Sequence, residues 1–175
     1  MSRLHIHRRI AAAFLAGAAT LSLHAGAGSF SAGIRIENEA RPEQTGLAVY
    51  PGAVQQARKG SEQDGAQVEF SFGAYRLKVV GSSLRSEDAP QRVAEFYQRE
   101  LGRFGKLIDC RLPQVAKERQ RARKAGELSC DDIDVRRGRI VYKAGSRGDH
   151  RVVTIEPSGE GTAISLVHVE LRGLD

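Results

Sequence analysis

Residues 86–101 read SEDAPQRVAEFYQREL, and residues 139–171 read RIVYKAGSRGDHRVVTIEPSGEGTAISLVHVEL. In the first stretch Val93, Phe96, Tyr97, Leu101 and then Phe104 recur at spacings of three and four, with Glu100 the one polar member of that face. This spacing predicts an amphipathic helix. Asp88 stands where an N-cap acid would sit, Pro90 suits the first turn, and Gly105 closes the helix. Core packing against a sheet, not a ligand groove, is the expected use of the aromatic stripe. In the second stretch three β-rich runs, 139–144, 151–156 and 163–171, are separated by Gly-Ser-Arg-Gly and Pro-Ser-Gly-Glu-Gly. Short turn-rich connections between such runs predict an antiparallel meander.

Upstream, residues 66–72 (AQVEFSF) alternate, with Val68, Phe70 and Phe72 on one side. That is the pattern of a half-buried strand. Residues 75–84 form the return strand, with Tyr75, Leu77 and Val79 on one face and Gly81 at the position of a bulge. Residues 47–50 (LAVY) end at Pro51-Gly52 and predict a short strand running into a turn. Further short strands are expected at 106–111 and 127–130. The expected fold is α+β: one main helix packed on a curved antiparallel sheet, in the order βββα followed by about five strands.

The chain has 175 residues, 41% hydrophobic and 27% charged. Those proportions exclude a polytopic membrane protein, a collagen-like chain and a wholly disordered one. Three arginines (Arg3, Arg8, Arg9) precede fourteen uncharged residues, 10–23, and small residues follow at Ala25 and Ala27. This is the pattern of a secretory signal peptide over residues 1–27, and the apolar run is short for a membrane span. The alternative is an uncleaved N-terminal anchor. No cysteine near residue 27 offers a lipid attachment site. Residues 28–45 are expected as a flexible leader, and residues 46–175 as a single α+β domain. Cleavage after Ala27 removes three cations and no acid, so the formal charge falls from +6 to +3. That balance, in an exported chain, argues against nucleic acid as a partner. The expected location is the periplasm or the extracellular space, with no transmembrane span in the mature form.

Cys110 and Cys130 are the two cysteines of the chain and enclose 19 residues. An even count in an exported protein, without a C-x-x-C motif, predicts one structural disulfide.

The motifs also carry a resemblance. The opening Leu47-Ala48-Val49-Tyr50-Pro51-Gly52-Ala53, the D-x-P-x-x-V-x-x-FY-x-x-EL helix within residues 86–101, the run GKLIDC at 105–110 and the late Gly161-Thr162 hairpin are similar to a group of uncharacterised exported bacterial domains. The likeness spans about 47–173. Asp88 precedes Ala89-Pro90, so the helix-start motif is shifted by one, and the basic run at 117–124 lies outside the pattern. The resemblance implies the fold and export and assigns no site residue.

Searching the chain for chemistry yields little. Outside the first 27 residues the histidines are His150 and His168, and neither has metal-ligand spacing to a second His or Cys. No G-x-S-x-G turn, Walker loop or dinucleotide fingerprint occurs. Asp131, Asp132 and Asp134 lack the calcium-loop pattern and read as an exposed acidic turn. Arg147-Gly148-Asp149 reads as turn chemistry. No catalytic, metal or cofactor residue is assigned. The strongest local feature is the run 117–124, KERQRARK, net +4 in eight residues. Lys117, Arg119, Arg121, Arg123 and Lys124 are the expected contacts for an acidic partner, an envelope component or a protein; the alternative is a solvated loop. The functional expectation is an exported, soluble, non-catalytic envelope-associated binding or interaction module. The alternative is an enzyme of unrecognised type with a polar site assembled in space.

Overall fold

The computed structural model describes residues 31–57, 63–111, 121, 127–130, 133, 138–159 and 161–173. Eight strands make one sheet: β1 (Ala32–Glu37), β2 (Val54–Gln55), β3 (Gly65–Phe72), β4 (Tyr75–Ser86), β5 (Ile108–Asp109), β6 (Ile140–Gly145), β7 (Asp149–Ser158) and β8 (Gly161–Arg172). Helix α1 (Pro90–Leu101) follows β4. Across the sheet the strands run β1-β3-β4-β8-β7-β6-β5, with β2 paired to the end of β4, and every pairing is antiparallel. One helix on such a sheet is α+β, close to a mainly β fold.

Among the described residues the order differs from the expected one: four strands precede helix α1 and four follow it. Residues 47–50 are not a strand. Leu47 and Tyr50 are buried as core anchors, and the Ala53 N–H closes the Pro51-Gly52 turn on the Tyr50 carbonyl at 2.9 Å. Residues 127–130 are irregular, and only Ile108 and Asp109 of the 106–111 run are extended. Two strands are additional: β2, just after the Pro51-Gly52 turn, and β1, inside the segment expected as a flexible leader. The β1 backbone pairs with β3 although all six of its residues are exposed. Pairing to a neighbour, not burial, makes it a strand, so its weak apolar signal concealed it. Farther along the same segment, Ala40 and Thr45 are buried. The Ala40 carbonyl presses so closely on Gly65 that a Cβ there would lie 2.0 Å from its oxygen.

The meander appears where the spacing placed it, as β6, β7 and β8. Gly81 makes no bulge: β4 pairs with β3 on one side and β8 on the other in unbroken register through Ala66↔Gly81↔Val167. The β3–β4 hairpin turns at Gly73, whose φ of 56° is costly for a residue with a Cβ.

Helix α1 starts with Pro90 in its first turn, after Ala89. Asp88 does not cap it. Its carboxylate instead accepts from the Tyr50 hydroxyl at 2.6 Å and from Arg92 at 2.8 Å, and its carbonyl accepts from Thr162 Oγ1 at 2.6 Å. The α-helix ends at Leu101, and a 3-10 turn carries the chain to Phe104 before Gly105. Val93, Ala94, Tyr97 and Leu101 are buried against Leu84, Tyr142, Val153, Ile155, Ile164 and Leu166. Each large side chain buried in this way contributes about 1.5–3 kcal/mol. Glu100, the polar exception on this face, accepts from the Ala48 N–H at 3.1 Å and from Arg103 at 2.6 Å, tying the 47–50 segment to the helix.

Cys110 and Cys130 form a disulfide with Cα atoms 5.5 Å apart, within the range such bonds need. Beside it, Arg111 bonds Asp109 and reaches the Tyr142 hydroxyl at 3.3 Å, which also accepts from Gln98 Nε2 at 2.9 Å.

Candidate interaction face

Strand residues alternate between the two faces of a sheet. In β4 the even-numbered residues Val80, Ser82, Leu84 and Ser86 are buried on the helix side. The odd-numbered residues Tyr75, Leu77, Val79, Ser83 and Arg85 therefore lie on the reverse, or outer, face. Cross-strand register extends that face to Phe72, Phe70 and Val68 of β3, to Ile34 and Ile36 of β1, and to Val167, Val169 and Leu171 of β8.

This half of the sheet reverses the usual arrangement. Helix α1 packs across β6, β7 and β8 and does not reach β1 or β3 among its principal contacts. Beyond the helix, the helix-side face carries Arg35, Glu69, Arg76, Lys78, Glu170 and Arg172, with ion pairs Arg76–Glu69 and Arg172–Glu170. The apolar residues lie on the reverse side. Ile34, Ile36, Phe70, Phe72 and Tyr75 are 67%, 64%, 44%, 56% and 52% exposed. Together they expose on the order of 500 Å², near the top of the range for the largest apolar patch of a monomer. Toward β7 the same face turns polar, with Ser83, Arg85, Glu156, Ser158 and Ser165 around an open hollow of about 350 Å³. Its β6 margin is covered: Val141 and Lys143 are buried, and Lys143 Nζ donates to the Ser129 carbonyl at 3.0 Å, one residue from the disulfide.

Of the basic residues singled out at 117–124, Arg121 alone is among the described residues. Arg121 is exposed. Lys117, Arg119, Arg123 and Lys124 lie outside the described residues, as do Asp131, Asp132, Asp134 and the whole of 1–27. His168 sits on the helix side, its Nε2 2.7 Å from Asp149 Oδ1, which also accepts from Arg151 at 2.6 Å. The Arg151 guanidinium lies 4.3 Å from the centre of the Phe104 ring. This ion-paired group bridges β7, β8 and the turn after α1. Among the described residues, no three or more His, Cys, Asp or Glu side chains are grouped to hold a metal ion, and no helix is long and apolar enough to cross a membrane.

Burial and ion pairing shift the ionisation of several framework groups, Tyr97 and Asp109 among them. Burial pushes the Tyr97 phenol well above its usual range. Asp109 is raised by burial, but the hydrogen bonds and charge of Arg111 outweigh that and hold its carboxyl below the usual range. Both belong to the framework.

Comparison with protein-family models, with curated proteins and with solved structures finds no match to this chain. The functional reading therefore rests on the geometry. Sequence inspection missed the outer face because Val68, Phe70 and Phe72 alternate as core residues do. The available signal was their number: apolar stripes on three adjoining strands exceed what one short helix can cover.

Proposed function

We propose that this protein is an exported, non-catalytic interaction module of the cell envelope that docks an apolar protein surface on the outer face of its β1–β3–β4 end. The observation that carries the reading is the exposure of Ile34, Ile36, Phe70, Phe72 and Tyr75 on one continuous face. Exposed apolar patches of this size on a stable domain mark interaction sites. The disulfide supports an oxidising compartment, and the basic, apolar and small-residue order of residues 1–27 supports removal of that segment on export. The cations of residues 117–124 form an accessory contact toward an acidic envelope component.

The test is retention on isolated envelope at moderate and high salt. Salt screens ionic contacts but not apolar ones. Wild type should stay bound at both salt levels, and a Phe70→Ser, Phe72→Ser variant should elute. Equal retention of the two proteins overturns the reading. Mass spectrometry of the protein from the native host should find an N-terminus at Gly28; a cytoplasmic protein starting at Met1 or Ser2 would overturn the export reading.

A further inference from the structure

We infer that β1 is a dimerisation edge, pairing antiparallel with β1 of a second copy about a two-fold axis at Ile36. This goes beyond the docking of an apolar partner and stands on a different feature, the outer edge of the sheet.

No described strand lies on the outer side of β1. The Gly73 N–H donates to the Ser31 carbonyl at 3.0 Å, continuing the ladder that pairs Ala32 with Phe72. Antiparallel ladders alternate. The main-chain groups of Gly33, Arg35 and Glu37 therefore point inward to β3, and those of Ile34 and Ile36 point to the free edge. Six residues without proline or a bulge make this edge a template for another strand. The opposite edge is blunted, since β5 has only two residues.

Charge then selects the register. A two-fold axis that keeps the apolar faces together can be centred on Ile34, Arg35 or Ile36. Centred on Ile34, it sets Arg35 against the partner's Gly33. Centred on Arg35, it sets arginine against arginine. Centred on Ile36, it sets Arg35 against the partner's Glu37 and Glu37 against the partner's Arg35, two cross-strand ion pairs. Both are of the close, non-hydrogen-bonded kind, with Cα atoms about 4.5 Å apart. Ile36 meets the partner's Ile36 on the apolar side. The interface is isologous and closed. It joins two eight-stranded sheets into one and makes the outer apolar faces continuous. An edge contact of this size lies below the standard interface, so association in the micromolar range or weaker is expected.

Sedimentation equilibrium over a concentration series, up to about 1 mM, tests this on the purified protein. Wild type should form dimers. Glu37→Arg should weaken dimerisation roughly ten-fold, since it sets like charges together twice. Adding Arg35→Glu should restore it. Because Arg35 also faces Glu69 within the chain, a second measurement avoids charge altogether. Ile36→Cys should cross-link between copies under oxidation, at a Cα spacing of about 5.5 Å, whereas Ile34→Cys should not. A wild type monomeric throughout overturns the inference. So does cross-linking of Ile34→Cys in preference to Ile36→Cys. A dimer insensitive to Glu37→Arg but broken by Phe72→Lys also overturns it, while leaving the apolar face as the docking surface.

Discussion

The Tyr50 hydroxyl and the Asp88 carboxylate meet at 2.6 Å, joining the turn before β2 to the approach to α1. The same bond raises the pKa of the Tyr50 phenol above its usual range, since the proton is held toward an anion. The two residues lie 38 positions apart, and this contact fixes how the 47–53 segment lies over the helix start. Tyr50→Phe should cost about 1.5–3 kcal/mol in urea unfolding, the usual range for a hydrogen bond to a charged group. Asp88→Ala should cost more, because Arg92 loses its partner too. A Tyr50→Phe variant as stable as wild type would show that the bond contributes nothing net.

The disulfide closes a sequence separation of 20. Replacing Cys110 and Cys130 together with serine should lower stability by about 3 kcal/mol if the effect comes from restricting the unfolded chain. The variant should keep its sheet, since β6, β7 and β8 pair without it. Far-ultraviolet circular dichroism with a denaturant series checks both statements.

Asp109 gives the protein a component of acid sensitivity. The carboxyl titrates near 3.9 in the unfolded chain and lower in the folded one, where Arg111 holds it ionised. Its contribution is present above the unfolded value and is lost as pH falls through the folded value. Between about pH 4 and 2, wild type should lose more stability than Asp109→Asn, measured as the denaturant midpoint at each pH. Parallel decline of the two proteins would contradict this.

The basic run offers an ionic contact that salt should weaken steeply. The variant Arg119→Ala, Arg121→Ala, Arg123→Ala should lose retention on anionic vesicles at low salt, and wild type should lose it as salt is raised past physiological strength. Retention of neither protein, or equal retention of both, would make this segment a solvated loop.

Much of the frame was legible from residue patterns. Helix α1 and strands β3, β4, β6, β7 and β8 follow from strong periodicity, and the disulfide follows from two cysteines in a chain with an export signature. β1 was not legible, because an exposed edge strand carries no burial pattern. The Leu47–Tyr50 error has the opposite cause: a short apolar run reads as a strand even when its residues are core anchors in irregular backbone. The outer face was half legible. Which residues of β3 and β4 share a side was correct, but not that the side faces away from the helix. Lengths would have revealed it. A twelve-residue helix reaches about 18 Å, whereas seven strands side by side span about 29 Å. One end of the sheet therefore had to go without a helix.

Strand β8 is the last in chain order, yet it lies in the middle of the sheet, between β4 and β7. Until residues 161–172 are available, the chain holds two separate hairpin blocks, β3–β4 and β6–β7, with no strand to zip them together. The β4–β8 ladder links Arg76 to Arg172 at one end and Ser86 to Thr162 at the other, pairings across long sequence separations that form slowly. The sheet of a growing polypeptide therefore closes only once residues 161–172 have been added, and until then its two hairpin blocks stay unjoined.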